Sequence, residues 1–114
     1  MAGHPFPEAL ARCGGDETAL AATATIVSED APEQFAKVIN NLESGQSEPA
    51  AFAAHTLKGM LSTFGGGDAI AGLQAVEDSA KGGDVERALQ CLTNCKVKIE
   101  SLISDIHQIA NRAT

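Results

Sequence analysis

The chain has 114 residues, 44% of them hydrophobic, with no Trp or Tyr and only four Phe. That is one domain's worth of chain, enough for a single aliphatic, Ala-rich core and too apolar for wholesale disorder. A formal net charge of −7 argues against nucleic acid, whose phosphates demand a basic face, and against an anionic membrane surface. The longest unbroken apolar run, Ala50 to Ala54, is far short of the roughly 20 residues of a spanning helix. The N-terminus has neither a basic nor an apolar signal region, so the cytoplasm is the default location. An odd count of three cysteines (Cys13, Cys91, Cys95) fits a reducing compartment better than a disulfide framework, and Cys91 and Cys95, four apart on one helix face, read as small buried apolar residues. The three histidines lie far apart in sequence, and no metal site is expected.

Ala and Leu favour helix, and strand alternation is absent, so the expected class is all-α. Residues 1–7, with Gly3, Pro5 and Pro7, form an irregular lead-in, with His4 in a mobile tail; residues 8–114 form one helical domain. A short helix over Glu8–Cys13 opens at Pro7 and stops at Gly14-Gly15. Asp16 caps a long helical pattern from Glu17 to Ser44. Its apolar positions are Leu20, Ala24, Val27, Phe35, Val38, Ile39 and Leu42. Pro32 interrupts it, leaving two readings: two helices broken at Asp30-Ala31, or one helix kinked there. The stripe resumes at once after Pro32, which favours one kinked helix.

Ser47 is the expected cap of the next helix, which runs to a Gly65-Gly66-Gly67 stop. Asp68 is expected to cap a fourth segment, Ala69–Lys81, with Ala69, Gly72, Leu73, Val76 and Ala80 inward. Asp84 caps a last helix, Val85 to about Ala110, with Leu89, Leu92, Val97, Ile99, Leu102, Ile103, Ile106 and Ile109 inward and a slip in phase near Lys96. Residues 111–114 are expected to fray. Short turns between the four long segments predict an up-down-up-down antiparallel four-helix bundle with a short extra N-terminal helix.

The third helix carries the most informative pattern. Ala53, Leu57, Met60, Leu61 and Phe64 form an apolar stripe. His55 falls about 175° from its centre on a helical wheel. Lys58 and Gly59 sit three and four residues on, where helix neighbours meet, and Ser62 extends that outer line. An interior glycine costs about 1 kcal/mol against alanine, and Gly59 points outward, so clearing space beside His55 explains it better than helix packing. Phe52 also falls off the stripe. It is either an apolar contact for a partner or a side chain packed under the N-terminal helix.

The run Ala54-His55-Thr56-Leu57-Lys58-Gly59, followed by Phe64-Gly65 and by Val76-Glu77-Asp78-Ser79-Ala80-Lys81-Gly82-Gly83-Asp84, resembles the histidine-containing phosphotransfer (HPt) domain of two-component phosphorelays. The resemblance extends over Ala9 to Ala110, with Ala9–Asp16 resembling the family's opening segment. It departs at Met60-Leu61, at the glycine-rich 65–67 turn and at Gly72, where leucine is common; none removes a reacting group. It implies that His55 accepts a phosphoryl group from a receiver domain's aspartyl phosphate and passes it to another receiver. It further implies that Lys58 holds phosphoryl oxygens and that Gly59 admits the receiver. Glu77 and Lys81 match family positions near the histidine; there Glu77 would bond Nδ1 and leave Nε2 as nucleophile. As residues alone they read equally well as an exposed i, i+4 pair.

No cofactor is expected on the chain itself. Mg²⁺ would come with the receiver's acidic pocket, and without a nucleotide-binding loop no autokinase activity is expected. The expected partners are receiver domains of hybrid kinases and response regulators, and the expected state is a monomer. Competing readings are an adaptor that binds a kinase or receiver without accepting phosphate, and the first domain of a chemotaxis-type kinase.

Overall fold

The structure, a computed structural model, describes residues 4–65 and 67–112. Met1–Gly3, Gly66 and the last two residues, on which parts of the lead-in, turn and fraying expectations fall, lie outside the described residues. Five helices and no strand occur among those described: α1 (Pro7–Arg12), α2 (Glu17–Glu43), α3 (Ser47–Ser62), α4 (Asp68–Lys81) and α5 (Val85–Arg112). The long dimension, 44 Å, is about that of α5, whose 28 residues rise about 1.5 Å each. α2 packs against α3 and α5, and α4 packs against the same two helices. One core cluster draws on all five helices and on Phe6 and Phe64.

α2 runs unbroken through Pro32, which removes the two-helix alternative. Ala24, Val27, Ala31, Phe35, Val38 and Leu42 are buried at spacings of three and four, in phase on both sides of the proline. Burial along that stripe, worth about 1.5–3 kcal/mol for each large side chain, outweighs the ~3 kcal/mol of an interior proline.

Two caps differ from expectation. Ser47 is the first residue of α3, and Gln46 holds the N-cap position without a side-chain bond. Gly45 turns the chain at φ 73°, and Gln46 N–H donates to Asn41 C=O at 2.7 Å, so α3 begins as soon as α2 is closed. Asp68 likewise begins α4, after Gly67 at φ 84°. Its carboxylate is drawn to Lys98 on α5, whose hydrogen bond and charge hold Asp68 below its ordinary pKa. Asp16 and Asp84 do cap: Asp16 accepts from the Thr18 and Ala19 N–H groups, and Asp84 from that of Arg87. α3 ends at Ser62, three residues before Gly65.

On α5 the inward stripe has no phase slip. Ala88, Leu92, Cys95, Ile99, Ile106 and Ile109 are buried, whereas Val97 is 75% exposed. Small Ala88 and Cys95 keep the four-three spacing that Val97 and Leu89 only seemed to break. Gly72 faces the same helix. A Cβ on it would lie 2.3 Å from Cys95 Cβ and 2.7 Å from Cys95 Sγ, so α4 and α5 meet at a glycine notch that a leucine cannot occupy.

From His4 onward the N-terminal segment makes contacts with the rest of the chain. Phe6 is buried, edge-on to Phe64 at 5.3 Å, and Arg12 donates to Thr63 C=O. His4 Nδ1 accepts from Phe6 N–H at 2.9 Å, with Glu17 3.6 Å from its Nε2.

Candidate functional site

α3 divides cleanly into two faces. Ala50, Ala51, Ala53, Ala54, Leu57 and Leu61 are buried, with Met60 half-buried against the core. Glu48, Phe52, His55, Gly59 and Ser62 lie on the exposed face. The His55 side chain is 64% exposed. Phe52 is 73% exposed; the aromatic ring packed beneath the N-terminal segment is Phe64, not Phe52.

The group nearest His55 is not Lys58 but Glu77, reached from α4. Leu73, Val76, Glu77 and Ala80 share the inward face of α4, and Glu77 is the one buried charged side chain among the described residues, 3% exposed. Its Oε2 lies 3.2 Å from His55 Nδ1 and 3.1 Å from Lys81 Nζ, and its Oε1 lies 2.9 Å from Lys58 Nζ. Burial of this kind is tolerated only with such pairing. The exposed-pair reading therefore fails for Glu77, while Lys81 itself is 64% exposed.

Burial pushes the Glu77 carboxyl pKa up, but hydrogen bonds from Lys58, Lys81 and His55, with the charge of Lys58, outweigh it and hold the group at about 2. A carboxylate that ionised can only accept hydrogen bonds. A neutral His55 ring must then carry its proton on Nδ1, which leaves the lone pair on Nε2. The pair holds an exposed imidazole with a negative charge behind Nδ1 and, among the described residues, no hydrogen-bond partner at Nε2.

Because the folded-state pKa lies below the ordinary 4.5, the contribution of Glu77 to stability is complete above about pH 4.5 and is lost as pH falls through about 2. The loss should reach up to about 3 kcal/mol, read as unfolding free energy against pH. Glu77→Gln should show a shallower acid slope; equal slopes would remove Glu77 as the cause.

Lys58 is only 20% exposed and is tied at both ends of its reach, to Glu77 and to Gln74 Oε1 at 2.6 Å. Gln74 in turn donates to Asp78 Oδ1 at 2.9 Å. Gln74 and Asp78 were not singled out in the sequence, although their i, i+4 spacing and the placement of Gln74 three residues before Glu77 put them on the facing side of α4. A Cβ on Gly59 would meet nothing within 4 Å, so no packing inside the chain requires that glycine. Ser62 Oγ donates to Gly59 C=O at 3.0 Å. Glu48, Ala51, Phe52, His55, Glu77 and Lys81 line a shallow cleft of about 390 Å³ between α3 and α4.

Among the described residues no three His, Cys, Asp or Glu side chains gather to hold a metal ion, and no helix is long and apolar enough to cross a membrane. No curated protein and no solved structure matches the chain. The family model described as Hpt domain matches residues 23–111, the stretch that carries His55 on α3 and its buried partner on α4. With well over half of its length matched, the chain belongs to the Hpt domain family, the phosphocarrier modules that work through histidine phosphotransfer with receiver domains in two-component relays.

Proposed function

We propose that the chain is a relay protein that accepts a phosphoryl group on His55 from one receiver domain and delivers it to another. The observation that carries this reading is the contact between Glu77 and His55 Nδ1 at 3.2 Å. It presents Nε2 of an exposed ring to an incoming partner.

In the forward step the Nε2 lone pair attacks the phosphorus of the receiver's aspartyl phosphate in line. The N–P bond forms, the P–O bond to the carboxyl breaks, and its electron pair remains on the aspartate. Nδ1 keeps its proton, and the positive charge gained by the ring is offset by Glu77. The return step reverses each bond change on the second receiver. Such transfers are governed by positioning and charge neutralisation. Lys58 supplies a cation for the phosphoryl oxygens, Lys81 adds a second at the cleft, and the receiver brings the Mg²⁺. The chain has no autokinase activity of its own and acts as a monomer in the cytoplasm. Its four long helices run up-down-up-down, with α1 as the extra N-terminal helix. The pairwise contacts of α2, α3, α4 and α5 and the short connections between them support that arrangement.

Mixing the protein with a phosphorylated receiver and Mg²⁺ should transfer acid-labile, alkali-stable phosphate to this chain, located at Nε2 of His55 by NMR. Receiver binding without transfer would select the adaptor reading instead.

Gly59 supplies a second expectation. Because a Cβ there meets only open space, Gly59→Ala should stabilise the protein by about 0.5–1 kcal/mol through helix propensity alone. Gly59→Leu should keep most of that gain yet lower kcat/KM for transfer about tenfold or more, because the added side chain stands where the receiver must approach. Unchanged transfer by Gly59→Leu would mean the receiver does not close over this turn.

A further inference from the structure

We infer that Glu48 and Phe52 form the partner-selecting half of the His55 cleft, a subsite for an apolar side chain flanked by a basic one on the docked receiver. This inference rests on the reading of His55 as phosphoacceptor.

The two walls of the cleft differ in how their charges are used. On the α4 side, Glu77 is buried and bonded to His55, Lys58 and Lys81. On the α3 side, Glu48 is exposed and has no hydrogen-bond or ion-pair partner among the described residues. Phe52, one turn further on, leaves 73% of its surface in water. Glu48, Phe52 and His55 follow the i, i+4, i+7 spacing of one helix face. Two other large apolar side chains are comparably exposed, Ile26 on α2 and Val97 on α5, but neither lines the cleft of the reacting histidine.

An exposed ring beside the reacting group is a natural anchor for an apolar side chain of the partner, since aromatic residues dominate contact energetics when buried. Glu48 lies about 10 Å along α3 from His55, inside the footprint of a standard interface of about 800 Å² per partner. At that distance it touches no reacting atom. A free carboxylate on the rim attracts a Lys or Arg of the receiver and repels an acidic side chain there. Such rim charges act on encounter and on discrimination more than on the bound chemistry. Glu48 also stands in the first turn of α3, where the helix dipole favours a carboxylate. That accounts for a small part of stability but would leave the ranking of partners unaffected.

The test is transfer from a panel of phosphorylated receivers to the wild type and to Glu48→Gln, Glu48→Lys and Phe52→Ala, with KM and kcat measured separately at low and high salt. Both residues are exposed, so all variants should fold. Phe52→Ala should raise KM for every accepted receiver about tenfold, with kcat at saturation within about twofold. Glu48→Lys should raise KM about tenfold at low salt for the preferred receivers, less at high salt, and shift preference toward receivers with an acidic side chain at the docking edge. Reversing the receiver's basic residue should restore transfer to Glu48→Lys. If His55 is phosphorylated but neither KM nor the ranking moves in Glu48→Lys, the selecting role is wrong while the relay reading stands. If no receiver phosphorylates the wild type, both fail together.

Discussion

His55→Gln is expected to gain no acid-labile phosphate from any phosphorylated receiver, a complete loss rather than a slowing. The amide offers no lone pair of imidazole basicity, and the described residues place no other histidine near the cleft. The fold should be nearly untouched. The ring is mostly in water, and the glutamine amide can donate to Glu77 in its place, so unfolding stability should change by less than about 1 kcal/mol. Receiver binding should persist, because Phe52, Gly59 and Glu48 remain. The comparison separates loss of chemistry from loss of structure: equal melting and binding with no phosphate assigns the reaction to His55. Residual phosphorylation of the variant would move the acceptor elsewhere.

Gly72→Ala is expected to destabilise this protein, because Gly72 is the one described glycine at which an added Cβ would collide with a neighbouring helix. Alanine favours helix over glycine by about 1 kcal/mol, so on an open helix face the change would stabilise. Here the new Cβ would lie 2.3 Å from Cys95 Cβ and 2.7 Å from its Sγ. The first of these atoms is fixed to the α5 backbone and cannot swing away. The helices must separate, and Cys95, Leu73 and Val76, all buried, lose packing with them. A net loss of about 2–3 kcal/mol is expected in chemical denaturation. Cys95→Ala keeps the clashing Cβ and should not rescue it. In a Cys95→Gly background, Gly72→Ala should become neutral or stabilising; an undiminished cost there would show that the notch is not the reason for the glycine. The double-mutant cycle isolates that one contact.

These two sites also mark the boundary between local and tertiary information. The five helices, their order and most of their ends are written in short-range chemistry. Asp16 and Asp84 cap because their carboxylates meet N–H groups two or three residues on, and the glycines at 14, 15, 45 and 83 stop helices because only they take positive φ at no cost. The continuity of α2 through Pro32 was a balance between a local penalty and a burial stripe, and the stripe was visible on both sides. The outward position of His55 follows from helical periodicity alone. The Hpt resemblance rests on the same local pattern, His55 to Gly59 and Glu77 to Asp84.

What needed the fold is everything that passes between helices. Ser47 and Asp68 have the composition of caps, yet each is the first residue of its helix, after the turns at Gly45 and Gly67, and the Asp68 carboxylate pairs with Lys98 from α5 instead. Val97 has the composition of a core residue, yet Ala88 and Cys95 hold the seam because the close approach at Gly72 admits only small side chains. Glu77 is the clearest case. Its sequence neighbour Lys81 suggests an ordinary exposed pair, and nothing within α4 calls for a buried carboxylate. Only when α3 delivers His55 and Lys58 against α4 do three partners converge on that one group. Periodicity specifies which way a side chain points from its own helix axis; the charge it meets there depends on a second helix whose rotation and height are set by packing of the whole core.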